Sequence, residues 1–222
     1  VQFSFDIENP PPRRPESVIF GEDQKVLAVM LAFYAPAAQV IVDVTANARR
    51  MWGDLHIAEK VLFFDLDRSV KPTAVANFSA LPLRDECVDV LVYDPPHLPR
   101  AAASEHSMQG VSGYEYNLGV SAVGNNVGSL FAPFLTEARR VLRPGGLVFA
   151  KLKDYVHNHN YQWMLVEFVS IARAIEGLTP CDLIIKCDPC GGNLMSGKWT
   201  HAYHARNAHC WWVVVRRGRC EP

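Results

Sequence analysis

The chain has 222 residues, 49% of them hydrophobic, enough to bury one substantial core, so a single domain spanning 1–222 is the default. A formal net charge of −1 argues neither for nor against a polyanionic partner, because local arginine clusters bind phosphate without making the whole protein basic. Such clusters stand at Arg13-Arg14, Arg49-Arg50, Arg139-Arg140 with Arg143, and Arg216-Arg217 with Arg219, each equally readable as solvated surface or helix-end charge. No apolar run approaches the ~20 residues of a membrane span, and no basic segment leads into an apolar signal core, so a soluble, intracellular protein is expected. Six cysteines at irregular spacing (Cys87, Cys181, Cys187, Cys190, Cys210, Cys220) do not form a small secreted disulfide framework, and reduced thiols are expected.

The leader Asn9-Pro10-Pro11-Pro12-Arg13-Arg14-Pro15 is too proline-rich for a helix or an inner strand, so residues 1–20 read as an extended arm. Apolar residues at helical spacing predict a helix over 22–34. Apolar strands follow at 40–44, 61–64, 88–93 and 147–151. Between the last two, a helix over 130–142 carries Pro133 in its first turn and stops at Pro144-Gly145-Gly146. A further helix at 161–175 precedes strands at 183–186 and 211–216. Strands alternating with helices predict an α/β fold, a doubly wound sheet with helices on both faces and ligands at the carboxyl ends of the strands. Residues 98–127, loosened by Gly110, Gly113, Gly119 and Gly124 and holding Tyr114 and Tyr116, read as one long loop, a length that is usually functional or disordered.

Asp94-Pro95-Pro96-His97 directly follows the strand at 88–93. An exocyclic amine on a base is a poor nucleophile because its lone pair is delocalised into the ring. A catalyst must therefore hold both N–H bonds on acceptors and leave the lone pair facing a methyl donor. Asp94 can supply a carboxylate oxygen and Pro95 its backbone carbonyl, while the two prolines stiffen the turn. Asp94 would also stabilise positive charge developing on nitrogen, and the His97 ring lies where it can stack on the base.

The motif resembles that of the amino-methyltransferases, in which Asp, Asn or Ser precedes Pro-Pro and an aromatic residue, and which methylate adenine N6, cytosine N4, guanine N2 and some amide nitrogens. His97 departs from the usual Tyr, Phe or Trp and makes any stacking pH-dependent. The resemblance implies a Rossmann-like class I methyltransferase sheet, S-adenosylmethionine as cofactor, and a nucleic-acid partner, DNA before RNA, in a bacterium or a phage-infected cell. Asp at the first motif position points to adenine N6.

The first strand runs into Asp43-Val44-Thr45-Ala46-Asn47-Ala48-Arg49-Arg50-Met51-Trp52, where that family's nucleoside-binding turn carries glycines. Here Asn47 can take the left-handed conformation of a glycine, and Ala46 and Ala48 are small enough for a ligand to approach the backbone. The stretch is similar to phage and bacterial methyltransferase-like variants with Asp, Thr, a small residue and a following Met-Trp, and the resemblance assigns Asp43, Thr45, Ala46 and Asn47 to the cofactor. Asp65, roughly 20 residues on, stands where an acid reaches ribose hydroxyls, ahead of Asp67; a turn or cap role is the plain alternative. Asn77 and Phe78 resemble the adenine-contacting turn, with Phe78 equally readable as core. The segment from Glu137 to Val148 resembles the helix, Pro-Gly-Gly turn and strand of many class I methyltransferases. Lys151, Lys153 and Asp154 end that strand, facing either substrate or solvent.

Cys187 and Cys190 have the spacing of a zinc knuckle, with His201, His204 and His209 downstream, but a single such pair beside Pro189 and Gly191-Gly192 also reads as a plain turn, and no metal is assigned. Polar residues His204, Arg206, Asn207 and His209 before the last strand border a base pocket or form an ordinary loop. The expected activity is methyl transfer to adenine N6 in DNA. The alternatives are RNA, cytosine N4 or guanine N2 as target, or a silent methyltransferase-like nucleic-acid-binding subunit. Target recognition is expected from the 98–127 loop, the C-terminal third, a dimer mate or a partner protein.

Overall fold

A computed structural model describes residues 14–53, 55–97, 127–157, 159–187, 204–205 and 207–220. The strands are β1 (Val18–Phe20), β2 (Ile41–Asp43), β3 (Leu62–Asp65), β4 (Ala74–Val75), β5 (Val88–Tyr93), β6 (Leu142–Leu152), β7 (Tyr155–His157), β8 (Asn160–Gln162), β9 (Leu178–Cys187) and β10 (His209–Arg217). Eight of them form one sheet in the order β1-β9-β10-β6-β5-β2-β3-β4, and β7 and β8 pair as a separate hairpin. Strands β4, β3, β2, β5 and β6 run parallel, while β10 is antiparallel to both β6 and β9. The chain thus reverses its winding between adjacent β2 and β5, the switch point at which an open α/β sheet leaves a crevice at its carboxyl edge.

Helix α1 (Asp23–Tyr34) covers one face, and α2 (Phe131–Val141) and α3 (Met164–Ala174) cover the other, as the alternating pattern predicts. On the α1 side Val26, Leu27, Met30 and Leu31 share a buried cluster with Val90, Val92, Phe149 and Trp212. On the other side Phe131, Phe134, Leu135 and Phe168 join Leu91, Tyr93 and Val213. Strand β5 therefore buries both faces, which is why it reads as a continuous apolar run. From β2 to β4 the crossovers are short: 3-10 helices at His56–Lys60 and Arg68–Val70 stand between β2, β3 and β4.

Strands β6, β9 and β10 exceed their predicted bounds, and β1 was not predicted. Strand β6 starts at Leu142, because Pro144-Gly145-Gly146 bulges within the strand, shifting the register against β5 between Val88 and Val90. Gly145 takes φ +82°, and a Cβ on Gly146 would lie 2.9 Å from the Arg143 carbonyl oxygen, so neither position accepts an ordinary side chain. Strand β9 begins at Leu178 despite Pro180, which a register shift at Val214/Val215 accommodates. Val18–Phe20, within the expected arm, adds an edge strand parallel to β9.

The expectation of reduced thiols is corrected at one pair. Cys181 on β9 and Cys220 beyond β10 form a disulfide, their Cα atoms brought to 5.6 Å by the antiparallel pairing of the two strands. Among the described residues Cys87, Cys187 and Cys210 are free, and no helix is long and apolar enough to cross a membrane.

Candidate active site

Asp94 leaves the end of β5 buried to 5% exposure, with Pro95 also buried and Pro96 and His97 half-buried. Its backbone N–H donates to the Thr45 hydroxyl oxygen at 2.7 Å, fastening the Asp-Pro-Pro turn to the turn after β2. Among the described residues no donor engages the Pro95 carbonyl. Both expected acceptors therefore sit on one stiff turn at the switch point.

The Asp94 carboxylate is held unevenly. Oδ2 accepts from the Lys151 ammonium at 3.4 Å, whereas Oδ1 lies 3.1 Å from His97 Nε2 without an aligned hydrogen bond. Burial alone would raise the Asp94 pKa, but the charge of Lys151 and contact with His97 outweigh it and hold the acid near 2. Lys151 also pairs with Asp23, the first residue of α1, at 2.9 Å. Burial works against the ammonium, yet the two carboxylates prevail and raise its pKa. The His97 ring is thus turned towards Asp94, a contact that the stacking role expected of it does not include.

The turn after β2 departs most from expectation. Asp43 is fully buried: Oδ1 accepts from the Thr45 N–H at 2.9 Å and Oδ2 from the Trp52 indole N–H at 2.6 Å. Its carboxylate braces the turn from within, a role that the sequence reading did not include. Burial pushes its pKa up to about 7 against the hydrogen bonds of Trp52 and Thr45. Thr45 bridges Asp43 and Asp94, and Ala46 is buried with its N–H on the Phe64 carbonyl at 3.0 Å. Asn47 takes the expected left-handed conformation, φ +44°, and its N–H donates to Asp65 Oδ2 at 2.9 Å. The turn amides are therefore tied to the end of β3.

Asp65 accepts from Asn47 on one oxygen and from the Asp67 N–H, at 2.9 Å, on the other. A carboxylate offers about four lone-pair sites, so this half-buried acid retains capacity for hydroxyl donors at the carboxyl edge. Asn77 is exposed, and its amide oxygen accepts from Ser79 N and Oγ at 3.0 and 2.9 Å, closing its own turn; that oxygen is no longer an open acceptor for adenine. Phe78 is half-buried, its ring 5.4 Å from that of Tyr93, so it serves as core whatever its outer edge meets.

Several other residues resolve to structural roles. Asp154 is buried, accepting from Leu165 N, Trp211 Nε1 and Tyr161 Oη, so it fastens β8, α3 and β10 together. Asn207 donates to the Asp154 carbonyl at 2.7 Å. Arg140 pairs with Asp85 and Glu137, Arg143 with Asp89 and Arg217 with Glu86. These arginines stand at the amino edge of β5, away from Asp94, and are engaged within the protein. Cys190, His201, Arg206 and most of the 98–127 loop lie outside the described residues; no metal-binding cluster occurs among the described ones. Sequence reasoning missed Trp52 as the partner of Asp43 and Asp23 as the second carboxylate on Lys151.

No protein-family model matches the chain, and no curated protein matches it in sequence. Solved structures do match in shape. A Galdieria sulphuraria protein assigned as a sarcosine dimethylglycine methyltransferase aligns at TM-score 0.55 and 12% identity, covering 88% of this chain and 85% of that one. The 1,6-didemethyltoxoflavin-N1-methyltransferase of Burkholderia thailandensis, crystallised with S-adenosylhomocysteine, aligns at TM-score 0.50 and 14% identity, covering 89% and 77%. The N-methyltransferase NodS of Bradyrhizobium japonicum aligns at TM-score 0.50 and 11% identity, covering 89% and 94%. By this likeness in shape and its own mixed sheet with helices on both faces, the chain has the Rossmann-like fold of the class I S-adenosylmethionine-dependent methyltransferases.

Proposed function

We propose that the protein is an S-adenosylmethionine-dependent methyltransferase acting on an exocyclic base amine, adenine N6 in DNA before RNA, cytosine N4 or guanine N2. The observation that carries this reading is the Asp94 carboxylate, held ionised on a Pro-Pro turn with one oxygen lacking an aligned donor, and tied through Thr45 to the turn after β2. S-adenosylmethionine supplies an electrophilic methyl group. Asp65 fits its ribose hydroxyls, with the turn at 45–47 and Phe78 beside it. Asp94 Oδ1 and the Pro95 carbonyl accept the two amine N–H bonds, leaving the lone pair exposed. An acid held near 2 is a weak base, so Asp94 acts by orienting the amine and by stabilising positive charge on it, not by retaining the proton. Sequence recognition would come from outside the donor half, from a dimer mate or from a partner protein.

The test is incubation with methyl-labelled donor and single-stranded DNA, duplex DNA and RNA, digestion to nucleosides, and mass spectrometry. N6-methyladenine with wild type and none with Asp94→Ala supports the reading; unmodified nucleic acid, or undiminished transfer by Asp94→Ala, sinks it. A silent subunit is favoured by one observation, the engagement of Asp43 and the turn amides within the protein. Calorimetry that detects no S-adenosylmethionine binding would select that reading.

A further inference from the structure

Lys151 bridges two carboxylates that come from distant parts of the chain. Asp23 opens α1, Lys151 ends β6 and Asp94 follows β5; the ammonium lies 2.9 Å from Asp23 and 3.4 Å from Asp94, largely shielded from solvent. Asp23 is fixed in turn by β10, since its Oδ1 accepts from the Trp212 indole N–H at 3.3 Å and from the Cys210 thiol at 3.9 Å. The groups facing Lys151 and Asp94 are thus Asp23 from α1, His97 from the motif turn, Asp43 from β2, and Cys210 from β10, which Lys186 of β9 faces in turn.

A buried lone carboxylate would take up a proton, and a neutral Asp94 would offer an O–H where the amine needs an acceptor. A lysine alone beside Asp94 would keep it ionised but cancel the negative charge that favours an alkylating amine. Two carboxylates around one ammonium meet both demands, because the triad keeps a net charge of about −1 while occupying Oδ2 and leaving Oδ1, beside His97, without an aligned donor. Asp23 also restrains Lys151 from closing fully on Asp94, and it links the start of α1 to the reacting carboxylate.

We propose that Lys151 and Asp23 are positioning residues for Asp94: Lys151 keeps its carboxylate ionised and aimed, and Asp23 preserves the negative charge of the site. This inference rests on the methyl-transfer reading above. The experiment compares pH profiles of kcat and kcat/KM for wild type, Lys151→Met, Lys151→Arg and Asp23→Asn with a methylatable oligonucleotide. In Lys151→Met the acid limb moves up by ~2–3 pH units, to about pH 4–5, the shift expected when an adjacent opposite charge is removed from a buried acid, so activity at pH 4 falls about two- to tenfold relative to pH 7 while wild type stays level. Lys151→Arg restores most of the limb. Asp23→Asn lowers kcat at every pH, by about tenfold, without raising the limb and without changing KM for the donor. If wild type transfers methyl but Lys151→Met keeps its acid limb, or both variants lose activity equally at all pH values, the inference is overturned. Should Lys151→Met fail to fold, Asp23→Asn decides alone, because an effect on KM only, or none, refutes it. If wild type transfers nothing, it is the methyl-transfer reading that has failed.

Discussion

The fully buried Asp43 makes a prediction that does not depend on any substrate. Its pKa is lifted from 3.8 to about 7 by burial, so between these values the folded protein holds a proton that the unfolded chain has released. Unfolding then liberates a proton, and stability must fall as pH rises through this window, by ~1.4 kcal/mol per pH unit at most and about 4 kcal/mol in all. Asp94 has the opposite sign and a different window: held near 2, it contributes stability above pH ~4 that is lost between about 4 and 2. Asp43→Asn removes the first slope and leaves the second. The amide still accepts from Trp52 but turns its NH2 towards the Thr45 N–H, at a roughly constant cost of about 1–3 kcal/mol. Relative to wild type the variant should therefore gain about 3 kcal/mol between pH 5 and pH 8, whatever the constant cost. Urea unfolding followed by tryptophan fluorescence at half-unit steps from pH 5 to 8 measures it. Parallel curves across that range would refute the buried, proton-holding Asp43.

Two further outcomes follow from contacts far apart in sequence. Thr45→Val leaves the buried Asp94 N–H without its acceptor, so stability should fall by about 1–3 kcal/mol and methyl transfer by up to ~100-fold through misplacement of the turn, with Thr45→Ser recovering both; transfer unchanged in Thr45→Val would dissociate the two turns. Cys181→Ser opens a loop of sequence separation 39, which chain entropy values at about 4 kcal/mol, so the melting temperature under oxidising conditions should drop by on the order of 10 °C, while reductant should lower wild type to the same value. A wild-type melting temperature indifferent to reductant would show that the disulfide contributes no stability.

Legibility followed how local each determinant is. Strand β5 appears at its predicted bounds because both its faces are buried and its composition says so unaided. Helix α1 is legible from spacing, and Asn47 from its tolerance of positive φ. Strand β4, with two residues, is too short to show a period. Asp23 reads as an ordinary first-turn acid, since its link to Lys151 exists only once α1 packs on the sheet beside β6. Trp52 likewise reads as one more apolar loop residue until it closes over Asp43. Asp43 shows the same limit: an acid after a strand is found by position, but its contact with an indole depends on what folds back across it.

The pairing of Asp43 with Asp94 shows what the fold contributes and what it does not. Strands β2 and β5 are neighbours at the switch point, so their terminal acids are brought together by topology alone, and Thr45 touches both. Neighbours at 14% identity or less share that topology, so the likeness constrains where a site lies and not what it does. The difference between the two acids comes from their surroundings: Asp43 meets an indole and a hydroxyl, which cannot offset its burial, whereas Asp94 meets an ammonium, which can. One carboxylate becomes a protonated brace near neutral pH and the other a permanent acceptor. That division leaves the ionised acceptor on the Pro-Pro turn and the proton on the turn after β2, two surroundings giving two carboxyl groups different roles.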